Sequence, residues 1–304
     1  MMRKATAFVP AHVSGFFQPC YSKTPERTGS RNGGFCMDVG VLTEIEVTPA
    51  SRTKVKVYID GKPAPHANTT FTALNHLLVE IGGSFEVEAR HFSQVPIGAG
   101  YGASGAGAFG SVLALSKALG LRFPKRRLAK VAHVAEVSCG TGLGDVGAQT
   151  IGGMVIATMP GAYPYGRWKR IRVPKNLRVV CATLSPLPTN RFLLDSSFMR
   201  RADKLGSLAL EHVVKNQTVD GFIHASRKFA EGLGLVDEEV RELIRAGEKA
   251  GAMGVSQIML GRSVFALVTD KKKDRLRDAF EKFLPPEQIT VSRVAHGGAT
   301  VLDR

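Results

Sequence analysis

The chain has 304 residues, 44% of them hydrophobic, and a formal net charge of +15 with a pI near 9.9. That length can bury two modest cores, whereas no uninterrupted apolar run is long enough to cross a bilayer and MMRKATAFVP does not open like a secretory signal. A cytoplasmic protein with no membrane partner is expected, and Cys20, Cys36, Cys139 and Cys181, scattered without metal-ligand spacing, read as reduced thiols.

The basic residues cluster at Lys125 to Arg127, Arg167 to Arg172 and Lys271 to Arg277. A nucleic-acid partner would use such cations, but the clusters lie apart and only Trp168 stands inside one. They read chiefly as solvated faces with some attraction for anionic substrates, which disfavours nucleic acid as partner.

Along the chain, TEIEV (43–47), KVKVYI (54–59) and SFEVEAR (84–90) alternate as strands, with Asp60-Gly61 as a tight turn. PIGAGYGASGAG follows at 96–107. Gly98, Gly100 and Gly102 let the backbone turn with positive φ and admit a bulky anion. The helical spacing of Phe109, Val112, Leu113 and Leu119, closed by Gly120, puts a helix N-terminus against this loop, so phosphate is the expected ligand. A Walker A loop is excluded because Ala106 follows Gly105. A nucleophile elbow fails at the same alanine, and a dinucleotide fingerprint fails at Ala103. Ser104 remains as a hydroxyl beside the phosphates.

Pro124 opens the next helix, whose apolar stripe is Leu128, Val131, Ala132 and Ala135. Glu136 falls at the stripe's edge, either half-solvated or aimed into a cleft, and His133 falls on the polar face. Asp145 closes the Gly-rich turn GTGLGD, as a cap for the next element or as a functional acid. MPGAYPYGRWKRIRVPKN (159–176) breaks the pattern and divides the chain into domains at 1–165 and 175–304. Thus the first half reads as strands with two helices, and VGAQTIGGMVIAT as a turn or helix and then a strand. In the second half LRVVCATL, RSVFALVT and ITVSRVA read as strands, with helices over 198–250 and at DKKKDRLRDAFEKF.

The order P-x-G-x-G-x-G-x-S-G-A, then Glu136, G-x-G-x-G-D and Gly152-Gly153 resembles the GHMP kinases. The resemblance implies an α/β N-terminal domain, a ferredoxin-like α+β C-terminal domain and an active site between them. It assigns Pro96, Gly98, Ala99, Gly100, Tyr101, Gly102, Ala103, Ser104, Gly105 and Ala106 to ATP binding, Ser104 and Glu136 to magnesium, and Asp145 to activation of the acceptor hydroxyl. Ala103 stands in the place of the first loop serine, and the Glu136 to Asp145 spacing is shorter than the family's. GAMGVSQIMLG (251–261) occupies the place of the third Gly-rich motif, which makes Gly254 and Ser256 site lining.

AFVPAHVSGFFQP (7–19), TGSRNGGF (28–35) and TGLGDVGAQ (141–149) resemble the archaeal pantoate kinases of coenzyme A synthesis. That resemblance implies ATP-dependent phosphorylation of pantoate, makes His12 catalytic, and adds His12, Ser14 and Arg31 to the acceptor pocket, where a guanidinium can grip a carboxylate. It leaves room for a homodimer. Another small alcohol such as mevalonate or homoserine is the alternative acceptor, and a non-catalytic nucleotide- or nucleic-acid-binding protein is the alternative class.

Overall fold

Alternation of apolar residues continues far beyond 43–47, and two long strands carry it: β1 (Arg3–Cys20) and β2 (Gly29–Pro49), paired antiparallel. The computed structural model describes residues 2–187, 192 and 194–302. Register shifts at Pro10/His12 and Ser14/Phe16 interrupt the β1–β2 ladder. Such bulges redirect a strand and its side chains. The first one frees the His12 amide to donate to the Tyr101 carbonyl at 3.0 Å, which ties β1 to the glycine-rich loop.

Four further strands, β3 (Lys54–Ile59), β4 (Lys62–Pro63), β5 (Phe85–Ser93) and the C-terminal strand β12 (Thr300–Leu302), give the order β12-β1-β2-β5-β3-β4. β6 (Met154–Met159) joins the β2 end at Asn32–Phe35, and β7 (Arg167–Ile171) pairs with β6. The expected break at 159–176 therefore contains a strand, and the first sheet runs on to Ile171.

Helices α1 (Asn68–Ile81), α2 (Ala103–Ala118) and α3 (Lys125–Ser138) pack together, with α2 lying on β1 and β2. α1 was absent from the two-helix reading of the first half. Its buried residues Thr70, Ala73, Leu74, Leu77 and Leu78 follow helical spacing, but it begins in a Thr pair just after the PAPHAN turn, where local propensity is weak. His133 also departs from expectation: it is buried, and its Nε2–H donates to the Thr28 carbonyl at 2.9 Å. A short helix, α4 (Asp145–Ile151), follows α3.

The second sheet holds β8 (Leu177–Ser185), β9 (Gly254–Gln257), β10 (Arg262–Thr269) and β11 (Ile289–Arg293). Its order, β11-β8-β10-β9, is antiparallel throughout. Numbered within the sheet this is 4-1-3-2, the ferredoxin-like arrangement. Helices α5 (Ser196–Lys215), α6 (Val219–Leu233) and α7 (Glu238–Lys249) separate its first two strands, and α8 (Lys273–Phe280) its last two.

The core does not divide where the sheets do. Phe16 and Phe35 of the first sheet meet Phe222, Phe229 and Phe265 of the second half at ring separations of 5.3 to 6.5 Å. Burial of these rings fixes one sheet against the other and so sets the width of the cleft between them.

Candidate active site

The glycine-rich loop leaves β5 and ends at α2. Gly98, Gly100 and Gly102 adopt φ of +75°, +91° and +63°. A Cβ on Gly100 would come 2.8 Å from the Met259 carbonyl oxygen, so conformation and space both demand glycine there. α2 has Gly102 as N-cap and α1 has Ala67, neither with a side-chain cap. The Asn68 amide at the start of α1 donates to the His66 carbonyl at 2.8 Å, the other first-turn N–H groups are left for a ligand, and both helices begin on one cavity of about 640 Å³. Gly98, Gly100, Tyr101, Gly102, Ala103 and Ser104 line that cavity, whereas Pro96, Ala99, Gly105 and Ala106 do not reach it.

Beneath the loop lies a buried hydroxyl cluster that the motif did not announce. Tyr101 Oη meets Thr183 Oγ1 at 2.8 Å, and Ser263 Oγ donates to the Ala99 carbonyl at 3.1 Å and meets Thr183 Oγ1 at 3.2 Å. Two strands of the second sheet therefore hold the loop from below. Tyr101→Phe removes one of these bonds and should cost about 1 kcal/mol of stability. KM for ATP should rise with kcat little changed; an unaltered KM would show that the backbone alone holds the loop in shape.

Three groups converge on the loop's end. Asp145 opens α4, and its Oδ1 accepts from His12 Nδ1 at 2.7 Å. His12 is fully buried with Nε2 unpartnered, and a Cβ on Gly34 would strike that nitrogen at 2.4 Å. Glu136 is also fully buried, and neither carboxylate oxygen has a partner of full hydrogen-bond geometry. Gly105 and Gly142 press on it, where an added Cβ would lie 2.6 and 2.5 Å from Oε1. Burial first, and the Asp145 charge second, push the Glu136 carboxyl well above the usual range, which the Val146 amide offsets only in part. An orphaned buried carboxylate is costly unless a cation meets it, so the chemistry of Glu136 suits a magnesium ion, although of the two expected ligands only Ser104 lines the cavity. Among the described residues no cluster of three His, Cys, Asp or Glu supplies a complete cage. Magnesium, which keeps several of its waters, does not need one.

On the acceptor side the strand period decides. Ser30 and Asn32 line the cavity with Ser14, joined by an Asn32 Nδ2–H bond to Ser30 Oγ at 2.9 Å. Arg31, between them on β2, is not brought to the cavity, because successive strand residues point to opposite faces. Gly254 and Ser256 do not line it either: on β9 Ser256 is buried and Gly254 is half-buried against Ile223, while Met259 and Leu260 farther along reach the cavity. No Lys or Arg lines it among the described residues.

The sequence reading does not include Ser30, Asn32, His66 to Thr70 at the entry to α1, or His91, all of which line the cavity. Period-two reading of TGSRNGG would have singled out Ser30 and Asn32. His91 had no such signal, since its role comes from α1 packing. Its Nδ1 and Nε2 meet Thr43 Oγ1 at 2.9 Å and Thr70 Oγ1 at 3.1 Å. Burial lowers its pKa from 6.5 to about 4, with Asp60 opposing weakly. As pH falls from 6.5 towards 4 the unfolded chain takes up a proton that the folded chain refuses, so stability is lost across that window, by up to about 3 kcal/mol. His91→Asn should lack this part of the acid loss when urea unfolding is compared at neutral and acid pH. The same pH dependence in both proteins would show that the imidazole protonates in place.

A family model for the GHMP kinases N terminal domain matches residues 68–153, which include α1, the loop, Glu136 and Asp145. A pantoate kinase of Thermococcus kodakarensis is 32% identical over 286 residues, covering 93% of this chain and 94% of that protein. One from Methanospirillum hungatei is 31% identical, covering 99% and 97%. A solved structure described as a phosphotransferase related to the CoA biosynthesis pathway superposes with a TM-score of 0.88 at 28% identity, covering 98% of both chains. End-to-end similarity of this kind, over a cleft with the loop and acids in place, shows that the chain belongs to the pantoate kinases, within the GHMP kinases.

Proposed function

We propose that this protein transfers the γ-phosphoryl group of ATP to the primary hydroxyl of pantoate, giving 4-phosphopantoate and ADP, as a step in coenzyme A biosynthesis. The observation that carries the reading is the His12–Asp145 pair at 2.7 Å, set at the end of a phosphate loop in a chain similar throughout to pantoate kinases. Pre-set position and charge supply most of such a reaction's acceleration.

The loop amides and the start of α2 take the β and γ phosphates. Asp145 Oδ1 is engaged by His12, which leaves Oδ2 to receive the acceptor's proton as its oxygen forms the new bond to phosphorus and the bond to the ADP oxygen breaks. His12 holds that carboxylate in one orientation. Ser104 and Glu136 would be the residues to hold magnesium, whose charge would offset that of the phosphates. Ser14, Ser30 and Asn32 offer hydrogen bonds to the acceptor, and the Asn32 Oδ1, buried without a partner, is free to accept from a substrate hydroxyl. Among the described residues no Lys or Arg lines the cavity, so Ser14, Ser30, Asn32 and backbone N–H are the groups it offers to the acceptor carboxylate.

Release of ADP measured across pantoate, mevalonate, homoserine, galactose and shikimate tests the reading. Pantoate should give the highest kcat/KM. Turnover of another alcohol without pantoate activity would overturn the acceptor and leave the kinase class standing.

A further inference from the structure

Helix α4 is a wall shared by two cavities. Asp145, its first residue, lines the cleft, whereas Val146, Gly147, Thr150 and Ile151 line a second cavity of about 230 Å³. This one presents two guanidinium groups, Arg126 and Arg167, and two aromatic rings, Tyr163 and Trp168, and among the described residues no acid lines it. The Arg126 guanidinium sits 4.6 Å over the Tyr163 ring, and Arg167 Nη1 donates to the Pro164 carbonyl at 2.5 Å. Each cation is thereby held at the cavity with donors remaining, since a guanidinium has five. Trp168 abuts the α4 backbone so closely that a Cβ on Gly147 would lie 2.2 Å from its ring.

We propose that this second cavity binds a small organic anion with a planar body, and that its occupancy is felt at Asp145 through α4. Paired guanidinium groups match a phosphate or carboxylate bidentately, and the two rings provide a face for a planar group. Sites for drug-sized ligands begin at about 300 Å³, so 230 Å³ suits one ring with one anionic group and excludes ATP. The route to the cleft is short and packed. Val146, next to Asp145, lies 3.3 Å from where a Gly105 Cβ would stand, so a shift of Trp168 against Gly147 presses on both the acid and the phosphate-loop helix.

Trp168 is the chain's single tryptophan, so its emission reports this cavity directly. Phenyl phosphate is the probe, with benzyl alcohol and inorganic phosphate as separate arms, each with and without a non-hydrolysable ATP analogue. The expected result is a saturable emission change with phenyl phosphate that persists beside the analogue. In the double variant Arg126→Ala/Arg167→Ala, binding should weaken by about tenfold or more. The double variant should retain basal turnover, both arginines being exposed. No saturable change, equal response to benzyl alcohol or to inorganic phosphate, equal affinity in the double variant, or displacement by the ATP analogue would each overturn the site. Saturating phenyl phosphate should also change kcat in the wild type and not in the double variant; unchanged kcat in both would overturn the coupling. The emission arm involves no turnover, so it stands or falls apart from the pantoate assignment.

Discussion

Asp145→Ala is expected to lower kcat by roughly 10²- to 10⁴-fold while leaving ATP affinity nearly intact, because a positioned acid–base group acts in the transition state and the phosphates are held by backbone. Asp145→Asn keeps the shape and loses the charge. It should be similarly impaired, and its amide would also set a donor against His12 Nδ1–H, 2.7 Å away in the native pair. His12→Gln should show a smaller loss, since it removes the group that orients the carboxylate and leaves the carboxylate itself. Ser104→Ala provides the contrast: it removes one hydroxyl from the cavity lining, and its defect should shrink as magnesium is raised, whereas the Asp145 defect should not. Single-turnover measurements at two magnesium concentrations separate the cases. Near-normal turnover in Asp145→Ala would reduce this aspartate to the start of a helix and overturn its role as acceptor of the proton.

Much of this site was legible in the sequence because its chemistry depends on backbone. A loop that must adopt positive φ at three positions has to spend glycines there, and Gly98, Gly100 and Gly102 declare it. Asp145, from its glycine turn alone a cap or a functional acid, takes its proposed role from the family resemblance, and it stands on the cavity at the start of α4. Residues whose place depends on strand phase were harder. Arg31 carries the charge that suits a carboxylate, yet a period of two puts Ser30 and Asn32 on the cavity face. The bulge at His12 lies in a stretch that reads locally as strand and turn, and only the completed β1–β2 ladder shows the register shift that turns its amide towards Tyr101. The α1 helix and His91 were hidden because both are defined by what they pack against. Likewise the hydroxyl cluster under the loop joins residues up to 164 positions apart, so no local pattern could reveal it.

Glu136→Met should move activity and stability in opposite directions. The carboxylate is fully buried, both its oxygens lack a partner of full hydrogen-bond geometry, and Gly105 and Gly142 close over it. In the absence of a cation such a group costs about 1 to 3 kcal/mol, so an apolar side chain of similar length should raise the unfolding free energy by that order. Phosphoryl transfer should nevertheless fall by roughly 10²- to 10³-fold, since the charge that would hold magnesium against the phosphates is gone. Glu136→Gln separates the two effects: it loses the charge without relieving the burial of polar atoms, so activity should fall with little gain in stability. Thermal unfolding with and without magnesium and an ATP analogue provides the check, because a ligand that binds only the folded state raises its stability in proportion to occupancy. The wild type should gain more from the pair than either variant does. If Glu136→Met is both less stable and fully active, the buried carboxylate is structural, and the metal must be held by the phosphates and Ser104 alone.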